Sequence, residues 1–150
     1  MKTNGEKSQI IGGGEPYSVS RRRTVIVNDQ VKPIYDPQEL ERVLVARQRA
    51  GDVDGMVALY ESHAVLDHGG DQLAVGGEAI CKVFAELSAA GRKFAFGDQQ
   101  PARIAGDLAL TSTRLPDGTV TAEVARRQSD GTWLWVIDRF SIAQEACHES

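Results

Sequence analysis

Apolar residues recur at helical spacing in three stretches between residues 36 and 91, and β-branched and alternating patterns dominate from residue 93 to residue 142. The first stretch opens with Asp36-Pro37-Gln38-Glu39, where aspartate suits the N-cap, proline suits the first turn, and Glu39 can reach back to the cap amide. Leu40, Val43 and Leu44 form its apolar stripe. Asp52 is placed to cap a second helix, in which Val53, Met56, Val57 and Tyr60 fall at i, i+3, i+4 and i+7. The third helix repeats that spacing in Ile80, Val83, Phe84 and Leu87, and Gly91 is suited to the left-handed residue that ends it.

Strands are predicted over residues 93–97, 102–105, 108–114, 119–128 and 132–142, with hairpin turns at Pro116-Asp117-Gly118 and Ser129-Asp130-Gly131. Helices followed by an antiparallel sheet define an α+β domain, with the helices covering one sheet face. The register of the last hairpin decides which residues share that face. A two-residue loop at Asp130-Gly131 pairs Arg127 with Leu134, Ala125 with Val136, and Glu123 with Asp138. Glu123, Ala125, Arg127, Leu134, Val136, Asp138 and Phe140 then face inward, and Trp133, Trp135 and Ile137 face outward. A three-residue loop with a glycine bulge instead pairs Ala122 with Asp138.

The chain of 150 residues, with 41% hydrophobic and 25% charged content, suits one domain with one core. That domain is expected over residues 36–142. Residues 1–35 form a polar, glycine-rich extension with a short strand at residues 24–27, and residues 143–150 form a polar tail. A net charge of −4 argues against a nucleic-acid surface, although Arg21-Arg22-Arg23 is locally basic. No apolar run approaches the roughly 18 residues that cross a bilayer, and the first residues carry no signal-like apolar block, so a cytoplasmic protein is expected. Cys81 and Cys147 have neither the number nor the spacing of a disulfide framework or zinc site. Gly12-Gly13-Gly14 lacks the strand, lysine and helix of a phosphate loop, and no metal-ligand cluster or Ser-His-Asp pattern occurs. Chemistry without metal or cofactor is therefore the expectation.

Gly51-Asp52, Leu59-Tyr60, Ala64-Val65-Leu66-Asp67-His68, Gly76-Gly77-Glu78-Ala79-Ile80, Asp130-Gly131-Thr132-Trp133 and Ile137-Asp138 follow one another in an order that resembles the nuclear transport factor 2-like superfamily. The resemblance is to its SnoaL-like and ketosteroid-isomerase-like branch, which includes polyketide cyclase-like members. It covers about residues 36–142. It implies a cystatin-like roll, in which a cone-shaped, curved antiparallel sheet is closed by three N-terminal helices over a cavity, commonly in a homodimer. Ketosteroid isomerases use a carboxylate base with an oxyanion hole of a tyrosine and a protonated aspartate, a well-known case of carboxyl tuning. By the resemblance, the base position falls on His68, preceded by Asp67, the protonated acid on Glu123, and the oxyanion tyrosine on Leu44, which donates no hydrogen bond.

The candidate catalytic set is therefore His68, Glu123, Asp138 and Asp67. Tyr60, Leu44, Val83, Phe84, Ala125, Arg127, Val136 and Phe140 are the candidate substrate-binding residues. An imidazole titrates near neutral pH and can take a proton from carbon beside a carbonyl. A glutamate in an apolar cavity has a raised pKa, so its neutral form can donate to a developing oxyanion, and a nearby carboxylate pushes the same way. The expected ligand is a small apolar carbonyl compound, and the expected reaction is isomerase- or cyclase-like proton transfer.

Purely structural readings stand beside these. His68 can sit in the turn before Gly69-Gly70, Asp67 can cap that turn, and Asp138 can pair with Arg127 or Arg139. Epoxide-hydrolase-like water activation would draw on Arg127 beside Asp138 and Glu123. The non-enzymatic alternative is a ligand-binding or dimerisation module, with Trp133, Trp135 and Ile137 as the homodimer face.

Overall fold

Asp36 accepts a hydrogen bond from the Gln38 backbone N–H at 2.9 Å and starts a 3-10 turn, Pro37–Glu39, that runs into helix α1, Leu40–Arg49. Glu39 pairs with Arg42 at 3.2 Å, and its expected reach back to the cap is not made. Gly51 at φ 73° and Gly91 at φ 70° each follow a helix and close it in the same way. The Gly51 and Asp52 N–H groups bond to the Gln48 and Arg47 carbonyls, and those of Gly91 and Arg92 bond to the Ser88 and Leu87 carbonyls, which satisfies the exposed last turns of α1 and of α3, Gly77–Ala89. These data come from a computed structural model that describes residues 32–142; the expected strand at residues 24–27 and the tail at 143–150 lie outside the described residues.

Asp52 caps α2, Val53–Val57, by accepting from the Gly55 N–H at 2.9 Å. This helix is too short to include Tyr60, which begins strand β1, Tyr60–Asp67, instead of ending a helical stripe. The Leu59 carbonyl accepts from the Trp135 N–H at 2.8 Å, so the sheet claims the chain just where helical spacing would have continued. Strands β2 (Leu73–Val75), β3 (Asp98–Ala105), β4 (Leu108–Arg114), β5 (Val120–Arg127) and β6 (Trp133–Ile142) complete a six-stranded, curved and unclosed sheet in the order β2-β1-β6-β5-β4-β3. The β1–β6 pair is parallel, so the sheet is mixed and not wholly antiparallel. Two further expectations fail locally. Strands β1 and β2 were not among those predicted, and residues 93–97 form no strand.

That last segment belongs to α1. The buried Gln48 side chain donates to the Arg92 carbonyl at 2.5 Å and accepts from the Phe94 N–H at 2.9 Å, consuming groups a ladder would need. Gln48→Leu leaves both backbone groups without a protein partner and should lower stability by about 1–3 kcal/mol. An unchanged urea midpoint would contradict this account. Gln38 plays the matching role at the break in β3 around Pro101, where it accepts from the Ala102 N–H at 2.7 Å and donates to the Gln100 carbonyl at 2.9 Å.

The last hairpin combines both registers considered for it. Next to the turn, Arg127 pairs with Trp133, Arg126 with Leu134, and Ala125 with Trp135; beyond a bulge, Val124 pairs with Ile137 and Glu123 with Asp138. The extra residue is Val136. It switches the alternation, so Trp133 and Trp135 point inward together with Asp138, and only Ile137 of the expected dimer face points out. Trp133 and Trp135 are 4% and 0% exposed. They pack with Leu40, Leu44, Met56, Ile80, Phe84 and Tyr60 into one core between the helices and the sheet. Ile34 joins that core, and its carbonyl accepts from the Trp133 N–H at 2.9 Å, so the packed domain begins before residue 36. No helix among the described residues is long and apolar enough to cross a membrane.

Candidate functional site

The register beyond the bulge sets Glu123 of β5 directly opposite Asp138 of β6, and both carboxyls are 2% exposed. Each receives a neutral hydroxyl donor. Thr111 of β4 donates to Glu123 Oε2 at 2.7 Å, and Tyr60 of β1 donates to Asp138 Oδ2 at 2.5 Å. Thr111 Oγ1 in turn accepts from the Trp135 indole N–H at 3.3 Å. Both acids line a pocket of about 80 Å³ with Leu44, Phe94, Ala95, Leu115, Thr121 and Phe140. A third acid completes it. Glu41, in the first turn of α1, lines the same pocket.

Among the described residues, no lysine, arginine or histidine lines this space. The electrostatics follow from that composition. Burial pushes Glu41 up to about 8, with the Glu123 charge adding to the rise. Burial also raises Asp138 well above the carboxylate range; the charges of Glu123 and Glu41 reinforce it, and the Tyr60 hydrogen bond opposes it. Glu123 is raised by burial and held back by hydrogen bonds from Thr111 and Thr121. Tyr60 is driven up by burial and by Asp138, so it stays a phenol and a donor. The site is thus a cluster of three acids, each with a raised pKa, in a largely apolar pocket.

Of the residues proposed from sequence, the structure brings Glu123, Asp138, Leu44 and Phe140 to the pocket wall, with Tyr60 behind Asp138. Phe84 forms the layer beneath, its ring 6.2 Å from Phe140 and 5.8 Å from Tyr60. Val83 packs on the core, Ala125 is buried within it, and Val136 is taken up by the bulge; none of the three lines the pocket. Arg127 is held outside, over the Trp133 ring at 5.3 Å and against Asp107 at 3.4 Å, because the register near the turn leaves it at the sheet end. His68 lies just past β1 in the turn to β2, where its N–H bonds to the Gln72 carbonyl, and it does not reach the pocket. Asp67 accepts from the Gly69 N–H at 3.2 Å and pairs with Arg139 at 2.8 Å, which lowers its pKa and engages it in turn and surface structure. Asp138 pairs with neither Arg127 nor Arg139.

The residue that sequence reasoning passed over is Glu41. Its signal was available, since Glu41 and Leu44 are three apart and share a face of α1. Phe94 and Ala95 were assigned to a strand, and their place at the pocket depends on the Gln48 tether, which no local pattern announces. Among the described residues, no group of three or more His, Cys, Asp or Glu side chains is arranged to hold a metal ion.

No protein-family model matches the sequence, and no curated protein matches it. Solved structures do. A Thiobacillus denitrificans protein, provisionally described as a calcium/calmodulin-dependent protein kinase type II association domain, aligns with a TM-score of 0.62 at 20% identity over 75% of this chain and 100% of that one. A ketosteroid isomerase-like protein from Erwinia carotovora atroseptica aligns with a TM-score of 0.52 at 17% identity over 67% and 88%. An NTF2-like protein with a cystatin-like fold from Novosphingobium aromaticivorans aligns with a TM-score of 0.54 at 15% identity over 91% and 95%. The chain therefore has the NTF2-like, cystatin-like α+β fold.

Proposed function

We propose that this NTF2-like chain is a small-molecule pocket protein whose buried acids move a proton on a small carbonyl compound, in the manner of an isomerase or cyclase. The observation that carries the reading is the opposition of Glu123 and Asp138 on one pocket wall, with Glu41 lining the same pocket and no cation among the described lining residues. Glu123 is the base, because two threonine hydroxyls favour its ionised form while burial and charge hold its neighbours neutral. It takes the proton from carbon beside the carbonyl, and that C–H bond breaks as the electron pair moves toward oxygen. Glu41, neutral at pH 7, donates a hydrogen bond to the oxygen as charge develops there. In a compound with a β,γ double bond, return of the proton to the γ carbon, as the double bond moves into conjugation, completes an isomerisation with no change in oxidation state. The pocket is well below the roughly 300–1,000 Å³ of ordinary ligand sites, which suits a compact compound or only the reacting end of a larger one.

The test is loss of α-protons from 3-methyl-2-butanone in D2O, followed by proton NMR. Wild-type protein should exceed buffer, and Glu123→Gln should slow the exchange by about 10²–10⁴-fold, the usual contribution of a positioned base, while keeping the thermal midpoint. Exchange at the buffer rate with wild-type protein would reject the reading. Epoxide-hydrolase-like water activation has no support from Arg127, which stands outside the pocket.

A second reading, assembly with another copy, is favoured by the outer sheet face. Paired positions Leu110, Val124, Ile137, Val65 and Val75 make one apolar row across β4, β5, β6, β1 and β2. Leu110, Ile137 and Val75 along it are 49%, 49% and 60% exposed. This row replaces the buried tryptophans as the homodimer face. Ile137→Glu should then halve the mass measured by light scattering, with the fold intact.

A further inference from the structure

We propose that Phe94 is the specificity-determining residue of the pocket: its ring closes one side and limits the ligand to a carbonyl compound whose body is a small branched alkyl group, not an aromatic ring. The inference rests on reading this pocket as the ligand site, and it selects a compact compound over the reacting end of a larger one.

The lining is of two kinds. Apart from Leu115, which is tied into the β4–β5 turn by bonds to Thr119 and Gly118, and from Phe94 and Ala95, every lining residue sits on α1, β5 or β6. Phe94 and Ala95 lie between α3 and β3, on residues 92–97, which form neither helix nor strand. Ala95 offers one methyl group, so the bulk that this segment brings to the pocket is the Phe94 ring.

Three constraints hold that ring in place. Its peptide is gripped from α1 on both sides: the Phe94 N–H donates to Gln48 Oε1 at 2.9 Å, and the Phe94 carbonyl accepts from Arg49 Nε at 3.0 Å. The Arg49 guanidinium also lies over the Phe96 ring at 4.9 Å. The far end of the segment is fixed by close approach to β4, where a Cβ on Gly97 would come within 2.6 Å of the Arg114 carbonyl oxygen. The ring itself meets Phe84 and Phe140 edge to face, with centroids 6.4 and 5.9 Å away.

A wall held in this way yields to a larger ligand only by losing those bonds and ring contacts, and overfilling a packed site is costly. The pocket of about 80 Å³ is the space that remains with the ring in place. Phe94 is also the wall whose removal leaves the core whole. It packs against the core from outside, whereas Leu44, another apolar wall residue, is 3% exposed and belongs to it. Truncating Phe94 therefore enlarges the pocket by the volume of a phenyl ring and leaves Glu41, Glu123 and Asp138 on their own elements.

The test titrates 3-methyl-2-butanone and acetophenone, which share an acetyl group and differ in isopropyl against phenyl, into the full chain and reads side-chain NMR shifts at Leu44 and Phe140. Wild-type protein should prefer the isopropyl ketone. Phe94→Ala should shift the preference toward acetophenone by about tenfold or more, the scale on which a hydrophobic pocket discriminates by size. Phe94→Leu should fall between the two, and it carries the test if Phe94→Ala does not fold. Leu87→Ala, which removes core contacts away from the lining, should keep the wild-type preference, with its effect confined to the thermal midpoint. An unchanged preference in the folded Phe94 variants, a wild-type preference for acetophenone, or an equal shift in Leu87→Ala overturns the inference while the carbonyl reading stands. No shift from either ketone with any of these proteins overturns both.

Discussion

Trp135→Glu should abolish the folded state, while Ile137→Glu, two residues along the same strand, should leave the thermal midpoint within a few degrees. Trp135 is 0% exposed and sits 5.3 Å from the Tyr60 ring, and its indole N–H reaches Thr111. Truncating such a tryptophan to alanine costs about 3–5 kcal/mol, a large part of the roughly 5–15 kcal/mol that a domain has. A glutamate there adds a carboxyl to an interior that already holds Glu123 and Asp138. Circular dichroism and light scattering on both variants separate the two pictures of this strand. If Trp135→Glu stays folded and only loses a partner, then Trp135 is on the outer face and the Val136 bulge is wrong. Ile137→Glu reports on assembly without touching the core.

The same bulge shows where sequence legibility ended. Capping at Asp36 and Asp52, the stop at Gly91 and the hairpin at Asp130-Gly131 are local, and each was readable from residue chemistry within one turn, whereas β1 and β2, set between the second and third helices, were not. Strand alternation is also local, but it carries through a strand only while every residue is paired. One unpaired residue, Val136, inverts the tryptophans and yet restores the Glu123–Asp138 opposition, so the acid pair was foreseen and the outer face was not. Tyr60 was misplaced for a related reason: its helical spacing from Val53 is real, but the Trp135 N–H, 76 positions from Leu59, recruits the Leu59 carbonyl to the sheet. Long-range pairings of this kind leave no trace in a short window. His68 and Glu41 mark the corresponding error in the site. A residue-by-residue resemblance pointed to the end of β1, whereas the described pocket closes against the first turn of α1.

Glu41→Gln should stabilise the protein by several kcal/mol at pH 8 and by almost nothing at pH 4. In the unfolded chain Glu41 loses its proton near 4.5, while burial in the folded chain holds that proton to about 8. Across that interval the folded state binds one more proton than the unfolded state, so stability falls as pH rises and levels off only above the folded value. At about 1.4 kcal/mol per pH unit, one such group costs on the order of 5 kcal/mol by pH 8 as an upper figure, which local water entry and side-chain movement reduce. Asp138 and Glu123 are raised as well and tilt the curve the same way. Asp67 runs opposite, since its lowered pKa contributes stability that is present above its unfolded value and lost only as pH falls through its folded one. Its effect therefore lies on the acid side and does not offset the others near neutrality. Glutamine keeps the shape of the neutral acid and removes the titration, and because Glu41 has no hydrogen-bond partner among the described residues it breaks nothing in doing so. Denaturant midpoints from pH 4 to 8.5 should converge for the two proteins at the acid end and separate steadily above pH 5. Parallel curves would mean that Glu41 is ionised and solvated in the folded chain, and the pocket would then lose the neutral donor on which the proposed reaction depends.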